Sequence, residues 1–110
     1  MQKRKVNLST DVALYLSDLA FVLFQKEYFS YIESAMRYVD YVQDTIEKDI
    51  HTLKHHSTTD ENKRYGTHYV VVRMSRNFAY HVYFVMKGDE YYVTKISSNK
   101  LPDAEFLNQF

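Results

Sequence analysis

The sequence predicts an α+β domain: an N-terminal strand, two helices, then an antiparallel three-stranded meander that completes one sheet. Three observations predict it. Apolar residues recur in steps of three and four from Ile32 to Leu53, the period of a helix with one buried face. Runs rich in Val, Tyr and Phe then fill Tyr69 to Ile96, broken only by Arg76-Asn77 and Lys87-Gly88-Asp89, where Asn and Gly tolerate positive φ. Finally, 11 Tyr and 7 Phe stand against 2 Gly and 1 Pro. Such a chain has few turns, long regular elements and much aromatic surface to hide.

Lys3 to Leu8 alternates, Lys5 and Asn7 opposing Val6 and Leu8, and reads as a short strand. Ser9, Thr10 and Asp11 supply helix-start chemistry: side-chain oxygens for free amides and an acid at the positive end of the dipole. Between Val12 and Phe24 only Ser17 and Asp18 are polar. That run is too short to span a bilayer and carries Asp18 in its middle, so it reads as a helix buried on more than one side, with Phe21, Val22 or Phe24 seeking cover. Gln25 to Phe29 breaks the helix. Ser30 stands three residues before Glu33, the spacing of a capping box, and starts the second helix. Its apolar stripe is Ile32, Ala35, Val39, Val42, Ile46, Ile50 and Leu53. Glu33 with Arg37, and Asp44 with Lys48, are spaced to pair on the wet side. His55 to Gly66 is polar and reads as a loop. Strands are expected over Tyr69–Ser75, Phe78–Met86 and Tyr91–Ile96, with Pro102 ending the sheet.

The 110 residues allow one domain, 1–110, with a real core. Fourteen basic residues balance fourteen acidic ones, so a nucleic-acid role would require a local basic patch. Without cysteine there is no disulfide framework, thiolate nucleophile or thiolate metal site, which suits a reducing, cytoplasmic compartment. Lys3, Arg4 and Lys5 have no apolar run behind them, so the N-terminus does not read as a signal peptide.

Few motifs carry chemistry. His51 and His55 have metal-ligand spacing, but HTLKH lacks the glutamate of a zinc-protease helix and fixes no third ligand. No Gly-rich loop cradles phosphate, and no serine sits in an elbow motif. No metal or cofactor is expected. Arg73, Arg76, Tyr80, His81, Lys95 and Lys100 remain. Arg73 and Lys95 could hold phosphate while Tyr80 or His81 moves protons; the simpler reading is edge charge that keeps the sheet soluble. On the middle strand, Phe78, Tyr80, Val82, Phe84 and Met86 share one face, and Ala79, His81, Tyr83 and Val85 the other. Both are apolar, and two helices cover only one, so a partner chain is the expected cover for the second, with the chain's own ends as the alternative.

The order strand, two helices, polar loop and meander resembles the RelE/ParE family of bacterial toxins. The resemblance rests on the Ser9-Thr10-Asp11 start, the stretch SAMRYVDYVQDTIEKDIHTL, Tyr65-Gly66, and the closing AYHVYFVMKGDEYYVTKISSNK, and it covers Val6 to about Lys100. It implies a RelE-like fold and a toxin paired with a cognate antitoxin encoded beside it. Partner contact is expected at Phe21, Phe24, Phe78, Tyr80, Val82 and Phe84, filled by an antitoxin segment or by a second copy in a homodimer. Ribosome-dependent mRNA-cleaving members use basic residues on the first meander strand, an arginine on the next, and a basic or His/Tyr pair after the last. Arg73 matches the first position, Tyr80 stands at the arginine, and Lys100 followed by Leu101 matches the last in part. If the chain cleaves RNA, Arg73, Tyr80 and Lys100 are its catalytic candidates. These departures favour the branch that binds DNA gyrase over ribosome-dependent cleavage; a non-toxic partner-binding domain is the third reading.

Overall fold

The computed structural model describes residues 5–76 and 78–99. Lys3, Arg4, the expected turn residue Asn77, the candidate Lys100 and the tail with Pro102 lie outside the described residues. The fold is α+β, with two helices and a five-stranded mixed sheet.

Strand β1 (Lys5–Leu8) leads directly into helix α1 (Thr10–Gln25). Ser9 is the N-cap: its Oγ accepts from the Val12 N–H at 3.1 Å, and Asp11 lies in the first turn. At the other end Glu27 takes a left-handed φ of 64°. The Tyr28 N–H reaches the Leu23 carbonyl and the Glu27 N–H that of Phe24, each at 3.0 Å, closing the helix in a Schellman arrangement. Helix α2 (Ile32–Asp49) begins one residue later than expected, with Tyr31 as N-cap and no side-chain cap. The Ser30–Glu33 capping box is therefore not formed: Ser30 precedes the cap position and its hydroxyl is out of register with the free amides. The pairs Glu33–Arg37 and Asp44–Lys48 also do not close among the described residues. On an exposed surface the side-chain entropy outweighs the screened attraction.

The stripe on α2 is buried as its spacing requires. Ala35, Val39, Val42, Ile46 and Ile50 lie in the core with Val12, Leu16, Leu19 and Leu23 of α1. Both helices pack on one face of the sheet.

That sheet has the order β1-β5-β4-β3-β2, in which β2 (His56–Ser57), β3 (His68–Arg73), β4 (Ala79–Lys87) and β5 (Glu90–Ser98) run antiparallel in turn and β1 lies parallel to β5. The strand His56–Ser57 (β2) and a single 3₁₀ turn, Asp60–Asn62, lie in the segment expected to be loop. Two-residue strands are too short to leave a periodic signal. Gly88, at φ 58°, turns β4 into β5. A bulge interrupts β4–β5: Tyr83 faces Lys95 and Phe84 faces Val93, leaving Thr94 as the extra residue.

Candidate interaction site

The alternation of β4 decides which of its residues can meet a partner. Tyr80, Val82 and Phe84 point to the helix side with Val70, Val72, Val93 and Ile96, and all are core residues. The expectation that Tyr80, Val82 and Phe84 form a partner surface is corrected: α1 and α2 cover the face they share, and their exposure is 0%. Phe78 is half-buried at the rim of the same core, edge-on to Tyr28 at 5.3 Å. Phe21 and Phe24 are open to solvent, 53% and 36% exposed.

Tyr80 is also removed from chemistry. Its hydroxyl lies 3.2 Å from that of Tyr38. Burial, then the bond to Tyr38, pushes its ionisation far above the ordinary tyrosine value, and burial raises Tyr38 as well. A neutral phenol locked in the core neither touches substrate nor takes up a proton near neutrality. The expected catalytic role of Tyr80 is corrected on that ground. Arg73 is exposed at the end of β3. His51 and His55 serve packing: their rings stand edge-on to Tyr91 at 5.2 and 5.8 Å, His55 is 4.9 Å from Phe84, and its Nε2 is 2.8 Å from the Ile50 carbonyl oxygen. No set of three metal-ligating side chains exists among the described residues.

The face opposite the helices is covered in part by the chain itself, by the connection between α2 and β3. A Cβ on Gly66 would sit 2.9 Å from the Phe84 backbone N and O, so only glycine lets the segment lie this close. The bulge residue Thr94 donates its hydroxyl to the Tyr65 carbonyl. Tyr65 then rests against Tyr83 at 5.4 Å, with Lys95 Nζ 4.6 Å and the Arg64 guanidinium 4.8 Å from its ring centre. Beyond it the rings continue: Tyr83 to Tyr69 at 5.5 Å, Tyr69 to His81 at 5.6 Å, and His56 stacked on Tyr69 at 4.9 Å. Burial, with the Tyr69 and Tyr65 hydroxyls nearby, raises the Tyr83 ionisation above the ordinary tyrosine value.

The helix side differs. Leu14 (57% exposed), Phe21, Phe24 and Met36 (55% exposed) stand out from α1 and α2. Between the helices runs an open groove of about 330 Å³, its apolar walls supplied by Leu8, Leu16, Ala20 and Val39 and its polar edge by Ser17, Asp40 and Gln43. Charge follows the same division. Residues 10–50 hold eight acids and three bases, a net −5; residues 51–99 hold seven bases and four acids, a net +3. The neutral total conceals an acidic helix layer and a basic sheet half. Leu14, Met36 and the ring platform were missed by pattern reading, although the seven-residue step from Leu14 to Phe21 and the half-by-half charge count would have found them.

No helix among the described residues is long and apolar enough to cross a membrane. No family model, curated protein or solved structure matches the chain.

Proposed function

We propose that this chain is a RelE/ParE-like toxin domain that arrests growth by binding a target such as DNA gyrase and is neutralised by a cognate antitoxin. The observation that carries binding over catalysis is the state of Tyr80, which occupies the position of the mRNA-cleaving members' arginine and is a buried, hydrogen-bonded phenol. Support for the fold assignment comes from the element order and from β1 lying beside the closing strand β5. Support for partner binding comes from the exposed apolar residues of α1, with Phe21 and Phe24 retained from the expected contact set.

The ribosome-dependent endoribonuclease keeps one favourable observation. Arg73 and His81 share the open sheet face, since Val71, two residues from Arg73, pairs with His81. An arginine and an imidazole there are a phosphate clamp and a proton carrier in outline.

Induction of the full chain in bacterial cells separates the readings. Growth arrest with a DNA-damage response, relieved by the protein of a neighbouring open reading frame, is the expected result. Arrest with mRNA cleavage that Arg73→Ala or His81→Ala abolishes would replace gyrase-type binding with catalysis. No arrest at all would leave the non-toxic binding domain.

A further inference from the structure

We infer that the outer edge of β3 pairs with the same edge of a second copy of this chain, so that one antiparallel sheet runs through a two-fold dimer. The inference does not depend on the toxin reading and goes beyond it. Strand β2 meets β3 only at His68 and Tyr69. From Val70 to Arg73 no strand lies along that side among the described residues. Backbone groups alternate in direction along a strand, and two bonds fix the phase here. The Thr67 carbonyl accepts from the Thr58 N–H at 3.1 Å, on the β2 side. The Met74 N–H donates to the Phe78 carbonyl at 2.9 Å, on the β4 side. Val70 and Val72 therefore aim their N–H and C=O at β4. Val71 and Arg73 aim theirs outward, where no described group receives them.

Sheet edges are commonly blunted by charge, proline, a bulge or brevity. The opposite edge, β1, stops after four residues and carries Lys5. The open part of β3 is Val70-Val71-Val72-Arg73, in unbroken register with β4 and with a single charge at its end. Register then selects the occupant. Opposite residues of an antiparallel pair share a face, so a two-fold contact keeps both helix layers on one side. An axis at Val71 would bring Arg73 against Tyr69, whose outer side His56 already occupies. An axis at Arg73 would set the two arginines directly opposite each other, which is unfavourable. An axis at Val72 meets neither obstacle. Val71 of each copy then faces Arg73 of the other, and each such pair exchanges both N–H···O bonds. The outward groups that β2 leaves over are thus the ones that a second copy of this edge supplies.

Sedimentation equilibrium of the full chain across a dilution series tests this, and a monomer–dimer equilibrium is expected. Amide exchange reads the register. The Val71 and Arg73 amides should gain protection as concentration rises, while those of Val70 and Val72, bonded to β4, stay protected throughout. Val71 is half-buried on the open face and Arg73 is exposed, so both accept substitution. Val71→Lys sets like charges opposite each other twice across the axis and should weaken the dimer at least about fivefold. Adding Arg73→Glu should bring it back to within about twofold of the parent, with melting curves verifying that each variant is folded. The chain has no cysteine, so a mixture of Val71→Cys and Arg73→Cys chains should form a disulfide-linked dimer that neither forms alone. A monomer at every concentration, a dimer indifferent to Val71→Lys, or no recovery with Arg73→Glu would overturn the inference. So would Val71 and Arg73 amides equally protected at every dilution, which would assign the edge to another segment of the same chain.

Discussion

On the helix side of the domain, Leu14, Phe21, Phe24 and Met36 stand among aspartates and glutamates; on the sheet side, tyrosines and histidines stand among lysines and arginines. The two sides share one core and differ in how their apolar surface is managed. The sheet covers its own: Tyr65 and Gly66 fold over the Thr94 bulge, and the remaining rings lean on one another at about 5 to 6 Å. On the helices nothing within the described chain lies over Leu14 or Phe21, which are more than half exposed. Large apolar groups left in water signal an interaction surface more strongly than rings already packed together. Net charge is a poor guide to either side, because the neutral total hides a helix layer of −5 and a sheet half of +3, the balance being carried by the chain ends.

The largest effect is expected where the two layers join. Val42 is fully buried between α2 and the sheet. Val42→Asp places an unpaired charge there, at a cost of several kcal/mol, which is a large fraction of the stability of a domain this size. Circular dichroism should report an unfolded chain at 25 °C, and both surfaces should be lost together. A folded Val42→Asp protein with either surface intact would mean that the layers do not share a core.

Most of the fold was legible. Helix and strand periods are local properties, and the stripe from Ala35 to Ile50 is buried as its spacing demanded. The side of the sheet was not. Both faces of β4 read as apolar, and which one the helices cover depends on register and chain path rather than on composition. That ambiguity turned Tyr80, Val82 and Phe84 into expected contact residues. The cover on the other face was hidden for a related reason: Tyr65-Gly66 is a turn-like pair in a polar stretch, and its docking onto a bulge is a contact between residues nearly thirty apart in sequence.

Gly66→Ala should separate the two sides. The new Cβ would meet Phe84 backbone atoms at 2.9 Å and Thr94 Oγ1 at 3.1 Å. Backbone cannot yield as a side-chain tip does, so the loop must lift, at about 1–3 kcal/mol. Amide hydrogen exchange should then rise around residues 64–67 and 94 while α1 and α2 keep their protection. Unchanged exchange at the loop would show that the sheet does not cover itself in this way.

Tyr80→Phe tests the assignment of Tyr80 to the core. At neutral pH it should cost about 0.5–1.5 kcal/mol, for the lost bond to Tyr38. The alkaline limb is more telling. Tyr80 ionises far above the usual tyrosine range when folded and near pH 10 when unfolded. Its neutral form stabilises the fold fully below about pH 10, and that contribution falls as pH rises further because only the unfolded chain releases the proton. Urea denaturation above about pH 10 should therefore lose stability less steeply in Tyr80→Phe than in the parent. Parallel slopes would mean that Tyr80 is solvated, and would restore it as a site residue.

The smallest effect on stability sharpens the contrast in charge most directly. At pH 7 the whole chain is formally neutral, and a uniformly mixed surface would pass through both anion and cation exchangers at low salt. A chain with −5 on its helix layer and +3 on its sheet half should be held by both. Asp18→Asn with Asp40→Asn should release it from the anion exchanger only, and Arg64→Gln with Lys95→Gln from the cation exchanger only. Asp18 and Asp40 are exposed, so melting of the first pair should stay within about 0.5 kcal/mol of the parent. Lys95 and Arg64 lie over the Tyr65 ring, so the second pair should cost about 1 kcal/mol more through two lost cation–π contacts. Retention on neither column, or loss of both retentions from one pair of substitutions, would show that the charges do not segregate between the two sides.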